Sequence, residues 1–457
     1  MRIKNLGPIT DAKIDLNQLM LFIGNNGTGK TLATYSLFAF RNWLEYSFQT
    51  EVVADNELDQ LIEAGKLGLP YDELESAIAT QIVTSFNELN DSGKYFVDFF
   101  KDRGVYVPGK SMITISEKDV AGLTKQSGVV FSYFAEDSQE NVGQYQIHMD
   151  GRKAPELEIF NTMSQKYVDG PQRLIPREEL LSRINRALVG SLFDASATSR
   201  YLPAERIGIN VFRTRLNTRL VDESLTNPAS MATGRVVERY PYPIESYISF
   251  LNNSVLALTQ PNSSDLTEEI KKLMAMLVPG NFLYDEALDS IQYRLGDESD
   301  NSDAINFNLL SSSLKSLFGL ELFVHQYAQR NWLFIDEPEM NLHPTRQVMV
   351  MDLLLALSEA GNHVVISTHS DYLVKELLNK ILESKLGDKQ NHVGIKSSVS
   401  VYEFNDGSVR DLGDISEEED FDDSDQTFGN FDQTTVAIND HYEDLRNQMD
   451  DEGTDNE

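Results

Sequence analysis

The sequence predicts an α/β fold in which helices cover a mixed β-sheet. Over residues 307–382 the pattern alternates between helix, strand, helix, strand and helix, the order typical of parallel strands covered by helices. Near the N-terminus three short apolar strands are separated by turn residues, and the third runs into a glycine-rich loop and a helix that begins near residue 31. A hairpin over residues 399–412 would complete the sheet.

The length of 457 residues favours two or three structural units. We predict one α/β unit from residues 1–45 and 200–413, with a helical subdomain at 240–330 and an insertion at 46–199. The insertion is expected to be helical first and strand-rich later, and no segment has the sustained heptads of a long coiled coil. Further predicted helices cover residues 55–64, 72–89, 176–192, 244–256 and 266–277.

The composition argues against a membrane-spanning protein, a secreted protein and a protein with cysteine chemistry. No apolar run approaches the roughly 18 to 20 residues that a bilayer span needs, and the N-terminus lacks the pattern of a signal peptide. We therefore expect a cytoplasmic protein without a membrane partner. The chain contains no cysteine, which excludes disulfides, thiolate metal sites and cysteine nucleophiles.

The net charge of -33 opposes general attraction to nucleic acid, but it is unevenly distributed. Residues 414–457 hold 17 acidic side chains against the single Arg446, and we expect a disordered tail. This tail is either a solubilising end or a polyanion mimic that occupies a basic groove. Residues 151–220 are basic, with 12 Lys and Arg against 7 Asp and Glu. Within this zone a possible anion-binding set comprises Arg183, Arg186, Arg200, Arg206, Arg213, Arg215 and Arg219.

A phosphate-binding loop is the first motif that carries chemistry. Its glycines let the backbone N–H groups turn inward toward phosphate oxygens, and the following helix adds its positive dipole end. Lys30 would neutralise the β and γ phosphates, and the Thr31 hydroxyl would ligate Mg²⁺. A glycine-rich hairpin turn is the alternative, which the flanking strand and helix disfavour. The loop, residues 24–31, consists of Gly24, Asn25, Asn26, Gly27, Thr28, Gly29, Lys30 and Thr31.

An apolar strand over residues 332–336 ends in two adjacent carboxylates. The carboxyl edge of a parallel sheet is where open α/β folds bind ligands. Asp336 would hold Mg²⁺ through water, and Glu337 would orient and polarise the attacking water. A solvated strand end is the alternative, and the position of the pair after the phosphate loop argues against it.

Polar side chains elsewhere are candidates for the same site. His369 ends another apolar strand and is expected to sense the γ-phosphate or support the attacking water, with a helix-capping role as the alternative. His343 is expected to shape the turn before a helix whose first residue is Pro344. A run of three hydroxyls at a helix N-terminus would serve as a cap or as a second phosphate-contacting surface. This serine run is Ser311, Ser312 and Ser313.

Together these motifs resemble the ABC-type ATPases related to SMC and RecF. The segments at residues 5–9, 201–206, 279–280 and 311–313 resemble more closely the ATPase half of the overcoming-lysogenization-defect (OLD) group. That neighbourhood includes the ATPase subunits of two-component anti-phage systems such as Septu and PARIS. The resemblance covers roughly residues 1–40 and 200–413.

The resemblance implies a P-loop ATPase head that binds ATP and Mg²⁺. It also implies at least a dimer, in which Ser311 or Ser312 of one subunit faces the phosphate loop of the other. Ser312 and Ser313 replace the family's usual glycines, so we expect slow turnover. The turn at Glu205 and Arg206 is the best candidate for the family's Gln-loop region. The chain after residue 413 leaves no room for the Toprim nuclease domain of many relatives.

We therefore expect an ATP-driven oligomeric switch that controls a separate effector, a nuclease, in anti-phage defence. The alternative is a RecF-like DNA repair or recombination ATPase that binds nucleic acid through the basic residues 183–219. A transporter ATPase subunit is disfavoured by the large insertions. A scaffold with a degenerate site is disfavoured because Lys30, Asp336, Glu337 and His369 are all present.

Overall fold

The computed structural model confirms a mixed α/β fold built on a large sheet. Its longest helix among the described residues has 22 residues. No helix in the described ranges is both long enough and apolar enough to cross a bilayer. The residues described are 1–64, 66–123, 131–134, 144–149, 156–161, 177–193, 197–224, 240–259, 266–296, 303–386, 395 and 397–414.

The described residues between 1 and 193 form eight strands and six helices. The strands are β1 (Arg2–Leu6), β2 (Ile9–Lys13), β3 (Leu19–Gly24), β4 (Lys66–Pro70), β5 (Met112–Thr114), β6 (Phe131–Phe134), β7 (Gln144–Met149) and β8 (Glu156–Asn161). The helices are α1 (Lys30–Tyr46), α2 (Asp55–Ala64), α3 (Tyr71–Ser92), α4 (Lys94–Phe100), α5 (Glu117–Ala121) and α6 (Arg177–Phe193).

The described residues between 197 and 414 add eight further strands and six further helices. The strands are β9 (Ser199–Leu202), β10 (Gly280–Asp285), β11 (Ser290–Leu295), β12 (Ile305–Asn306), β13 (Trp332–Asp336), β14 (His363–Ser367), β15 (Val399–Asn405) and β16 (Ser408–Asp414). The helices are α7 (Arg206–Ser224), α8 (Tyr242–Ser254), α9 (Glu268–Leu277), α10 (Ser312–Tyr327), α11 (Pro344–Glu359) and α12 (Asp371–Leu386).

Nine strands form the main sheet, in the order β5-β1-β2-β16-β15-β3-β14-β13-β9. The five strands from β15 to β9 are parallel, whereas β1 pairs antiparallel with β2 and β5, and β15 pairs antiparallel with β16. The parallel part therefore carries β3, β14 and β13 side by side. Their carboxyl ends meet at one edge of the sheet.

The central strands β3, β13 and β14 are mostly apolar because helices cover both of their faces. Along β3, Met20 and Phe22 enter one hydrophobic core, whereas Leu19, Leu21 and Ile23 enter the core on the opposite face. Strand β13 divides its side chains in the same alternating way. Burial on both faces holds the register of these strands, since a one-residue slip would exchange the two sets of side chains.

The predicted insertion, residues 46–199, shares a core with the N-terminal segment. Strand β5 pairs with β1, and aromatic side chains of α3 and α4 pack against α1. The ring centroids of Phe40 and Phe86 are 5.0 Å apart, and those of Phe38 and Phe99 are 6.1 Å apart. Strands β4, β8, β7 and β6 form a separate sheet in that order.

The residues 200–330 contain two features that the sequence patterns did not predict. Helix α7 directly follows β9, and the hairpin of β10 and β11 follows the break at Pro279. The helix predicted over residues 307–329 begins at Ser312, after a short 3-10 turn (Phe307–Leu309). Of the predicted acidic tail, only Asp414 lies among the described residues.

Helices α7, α8 and α10 are joined by a buried polar contact and a close approach. Tyr247 of α8 donates to the Asn210 side chain at 2.8 Å, and Asn210 donates to the Lys315 carbonyl oxygen at 2.8 Å. A Cβ atom at Gly319 of α10 would collide with the Tyr247 hydroxyl. The glycine therefore allows α8 to lie against α10.

We expect Gly319→Ala to lower the free energy of unfolding by about 1–3 kcal/mol, because overpacking forces α8 and α10 apart. Chemical denaturation measures the change. Gly208→Ala on α7 is the matched control, since a Cβ there meets nothing within 4 Å and alanine favours helix. Equal stabilities for the two variants would contradict the close approach.

Candidate functional site

The phosphate loop connects β3 to α1, and its backbone requires glycine at several positions. Gly24, Gly27 and Gly29 have φ angles of 132°, 79° and 105°. A Cβ at Gly24 would collide with the Phe404 carbonyl oxygen of β15, and a Cβ at Gly29 would lie 2.6 Å from Ile9. The loop is thus curled between neighbouring strands, and its middle, from Asn25 to Gly27, is exposed.

Lys30 is buried at the start of α1. Its ammonium donates to the carbonyl oxygens of Gly24 and Asn25 at 2.7 and 2.8 Å, and the Thr28 hydroxyl also donates to Asn25. Desolvation lowers the pKa of Lys30, while the carboxylates within residues 336–339, chiefly that of Glu337, oppose this shift. The neighbouring Thr31 is exposed. The loop therefore holds the Lys30 ammonium near these carboxylates, and Thr31 follows it at the surface.

Asp336 ends β13 in the interior, with 2% of its surface exposed. Tyr201 donates to its carboxylate at 2.7 Å, Ser367 donates to its other oxygen, and Thr34 lies at 3.5 Å. Burial raises the pKa of Asp336 to about 6, although the hydrogen bonds from Ser367 and Tyr201 lower it in part. The aspartate is therefore held between three hydroxyls from α1, β9 and β14.

The acidic turn, residues 336–340, has a strained backbone at its centre. Glu337 adopts a φ of 45°, a conformation that costs energy for a residue other than glycine. Its N–H donates to the Ser367 carbonyl oxygen at 2.8 Å, and its own carbonyl accepts from Met340 at 3.1 Å. These bonds turn the chain sharply after β13 and leave the Glu337 side chain partly exposed.

His369 lies against two carboxylates of the acidic turn. Its Nδ1 is 3.5 Å from Glu337 and 3.4 Å from Glu339. Glu339 is buried and accepts from the Thr368 hydroxyl at 2.7 Å and from the His369 N–H at 3.0 Å. Glu339 is not among the site residues that the sequence motifs predict. Its place two residues after Glu337, beyond a buried strand end, is the signal that could have identified it.

A buried arginine lies behind the acidic turn. Arg206, the first residue of α7, donates to the carbonyl oxygens of Asp336 and Glu337, each at 2.8 Å, and of Pro338 at 3.3 Å. Its Nε donates to the Ser316 carbonyl oxygen at 3.1 Å. Desolvation lowers the pKa of Arg206. In this position the residue supports the backbone of the acidic turn.

The serine run caps α10. The Ser311 hydroxyl accepts from the Leu314 N–H at 3.3 Å, Ser312 is exposed, and Ser313 accepts from Arg346 at 2.8 Å. The hydrogen bonds of Ser311 and Ser313 therefore lie within α10 and toward α11. His343 caps α11 by accepting from Thr345, which confirms its predicted turn-shaping role.

Two arginines of the predicted basic surface are instead buried. Arg206 is enclosed behind the acidic turn, and Arg213 forms an ion pair with Asp289 at 2.5 Å and a hydrogen bond with Asn252. Their guanidinium groups serve internal contacts. The expectation that Arg206 and Arg213 contribute to an anion-binding surface is therefore wrong, because the basic count along the chain did not distinguish interior from surface positions.

The other arginines of that zone lie nearer the surface. Arg183 forms an ion pair with Glu179, and the Arg200 guanidinium lies 4.5 Å from the ring centre of Tyr327. Nucleic-acid contact by the remaining members stays a prediction. The exposed members are Arg186 and Arg215, and the side chain of Arg219 lies outside the described ones.

The phosphate loop, the acidic turn and the end of β14 meet because of strand register. Asp336 pairs with Ser367, and Ser367 pairs with Phe22, two residues before the loop. Curled backbone N–H groups, a buried ammonium and a hydroxyl fit a polyphosphate chain. The Thr31 hydroxyl and the Asp336 carboxylate are oxygen ligands suited to Mg²⁺. The residues present therefore fit a magnesium-bound nucleoside triphosphate.

We expect the buried Asp336 to make stability depend on pH. Its folded-state pKa of about 6 exceeds the usual 3.8, so the folded protein binds more protons, and stability falls as pH rises through this window. The loss is on the order of 2 to 3 kcal/mol.

Denaturation in a chelating buffer between pH 4 and pH 7 measures this loss, and Asp336→Asn should remove most of it. Asp406→Asn, at an exposed turn, is the matched control and should keep the wild-type profile. Parallel profiles for wild type and Asp336→Asn would contradict the burial of the carboxylate.

Residues 210–375 match the family model described as "AAA domain, putative AbiEii toxin, Type IV TA system". The matched residues contain the serine run, the acidic turn and His369, whereas the phosphate loop lies outside them. No curated protein matches the chain. The match and the described topology are consistent with a P-loop ATPase fold of the AAA/ABC-like class, which the sequence predicts.

Several solved structures are similar to the chain at low identity. An Smc head bound to the C-winged helix domain of ScpA has 11% identity and a TM-score of 0.36, over 90% of this chain and 96% of that one. An Smc head with an extended coiled coil from Pyrococcus furiosus has 12% identity and a TM-score of 0.33, with coverages of 90% and 95%. The SMC head domain from Thermotoga maritima has 12% identity and a TM-score of 0.32, over 90% of this chain and 97% of that one.

Proposed function

We propose that this protein binds and hydrolyses ATP with Mg²⁺ and acts as a nucleotide-dependent oligomeric switch. The observation that carries the proposal is the strained acidic turn, which leaves the Glu337 carboxylate partly exposed beside His369 and the phosphate loop. A carboxylate held in a costly conformation next to a phosphate-binding loop suits general-base chemistry.

Each residue of the site has a separate task in this proposal. The loop N–H groups and Lys30 bind the phosphates, and Thr31 and Asp336 hold the metal, which neutralises phosphate charge when it is bound. Glu337 orients the attacking water and accepts its proton. His369, which contacts both Glu337 and Glu339, holds the Glu337 carboxylate in place and would sense the γ-phosphate.

The exposed serine run supports a proposed assembly of at least two subunits. Ser311 and Ser312 are exposed at the N-terminus of α10, where the helix dipole favours an anion. Leu309, two residues earlier, is 79% exposed, which suits a surface that a second copy covers. In the proposed dimer these serines face the nucleotide of the other subunit.

The purpose of the switch is proposed to lie in a separate effector, a nuclease, in anti-phage defence. The resemblance of residues 201–206 and 311–313 to the OLD group supports this proposal. The matching family model, whose description names a toxin and a type IV TA system, is a second support. Co-purification with the product of the neighbouring gene tests for the effector.

We expect Glu337→Gln to bind ATP but to hydrolyse it about 100-fold to 10,000-fold more slowly, because the amide cannot accept the proton from water. The variant should accumulate as a nucleotide-bound dimer or larger oligomer. Native mass spectrometry with ATP and Mg²⁺ measures this assembly, and phosphate release measures turnover.

Glu286→Gln, at an exposed turn between β10 and β11, is the matched control and should behave as the wild type. A Glu337→Gln protein whose mass is unchanged by ATP would refute the nucleotide-dependent assembly. Unchanged phosphate release would refute the assigned role of the carboxylate.

A further inference from the structure

The guanidinium of Arg206 satisfies all five of its N–H groups in the protein interior. Four of them serve backbone carbonyl oxygens, those of Pro203, Asp336, Glu337 and Pro338, at 2.8 to 3.3 Å. The fifth, on Nε, is shared between the carbonyl oxygen and the hydroxyl of Ser316 at 3.1 and 3.2 Å. Among the described residues, no Asp or Glu forms an ion pair with it within 4.0 Å.

Burying a cation whose hydrogen-bond partners are all neutral oxygens is energetically unfavourable. Removing a guanidinium from water is energetically unfavourable, and an apolar side chain of similar volume avoids that cost. Arg206 is 2% exposed. The cost is consistent with a role in which the planar fork holds several backbone groups at once, as lysine cannot.

One side of the fork holds the strained part of the acidic turn. The carbonyl oxygens of three successive residues, Asp336, Glu337 and Pro338, accept from Arg206. Successive carbonyls in an extended strand point in alternating directions, so this convergence requires the sharp turn at Glu337, where φ is 45°. The guanidinium therefore fixes the direction in which the Glu337 side chain leaves the turn.

The other side of the fork reaches α10. Ser316 accepts from Nε, and its hydroxyl donates to the Met340 carbonyl oxygen at 3.0 Å, at the end of the acidic turn. Ser316 lies about one helical turn after Ser313. A displacement of the α10 N-terminus would thus act on the acidic turn through two hydrogen-bonded connections, at its beginning and at its end.

We propose that Arg206 is a positioning residue that couples the serine run of α10 to the Glu337 carboxylate. Contact between the serine run and the nucleotide of a partner subunit orders α10, and Arg206 with Ser316 transmits this order to the acidic turn. Hydrolysis then accelerates only in the assembled state. This inference rests on the proposed function, which supplies both the hydrolysis and the partner's nucleotide.

The experiment uses Ser316→Ala in the full chain, because this change removes one hydroxyl and keeps the packing of α10. We measure the affinity for a fluorescent ATP analogue, and the ATP hydrolysis rate over a range of protein concentrations. We expect the affinity for the ATP analogue to stay within about twofold of the wild type and the maximal hydrolysis rate to fall at least tenfold. In the wild type the hydrolysis rate per subunit should rise with protein concentration, and in Ser316→Ala this rise should be lost. Ser254→Ala is the matched control, since it removes another buried serine hydroxyl at the end of α8 and should behave as the wild type.

Arg206→Lys is the second variant, because it keeps the charge and loses the planar fork. A folded Arg206→Lys protein should show the same lowered maximal rate with little change in KM. If it fails to fold, the Ser316→Ala result decides.

A Ser316→Ala protein with wild-type rate and wild-type concentration dependence would overturn the coupling. Equal losses of nucleotide affinity and rate would also overturn it, because they indicate a general structural role. A wild-type protein that binds no nucleotide would instead refute the proposed function itself, which distinguishes the two failures.

Discussion

The register of three parallel strands is the constraint on which the rest of the structure depends. Because β3, β14 and β13 lie side by side, Phe22, Ser367 and Asp336 occupy one row across the sheet. The phosphate loop follows that row from β3, and the acidic turn follows it from β13. A slip of one residue would exchange the two hydrophobic faces of each strand, so the packing that stabilises the sheet also aligns the site.

The site is assembled from groups that oppose folding. Asp336, Lys30 and Arg206 are charged groups whose pKa values are shifted against the charged form by desolvation. Glu337 adds backbone strain. Features of this kind persist where function requires them and the surrounding packing tolerates their cost. Here the opposing gain comes from two extensive hydrophobic cores on the faces of the sheet.

Local patterns predicted the elements that bear the motifs, because their signals are short and strong. The strand over residues 332–336 and the helix from Pro344 agree with the structure residue by residue, since a buried apolar run and an N-terminal proline mark their ends. The contacts between distant segments were beyond such patterns. Nothing in the local sequence of Arg206 indicates burial, since all of its hydrogen-bond partners except Pro203 lie more than 100 residues away. The role of Glu339 likewise depends on a contact with Thr368 across two strands.

The central claim is that the phosphate loop and the acidic turn form one site for a magnesium-bound nucleotide. An experimental structure of the Glu337→Gln variant with ATP and Mn²⁺, in which anomalous scattering locates the metal, tests it most directly. We predict triphosphate density against the N–H groups of residues 24–31, with the metal peak between Thr31 and Asp336. Nucleotide bound elsewhere, or a metal peak away from both residues, would contradict the account.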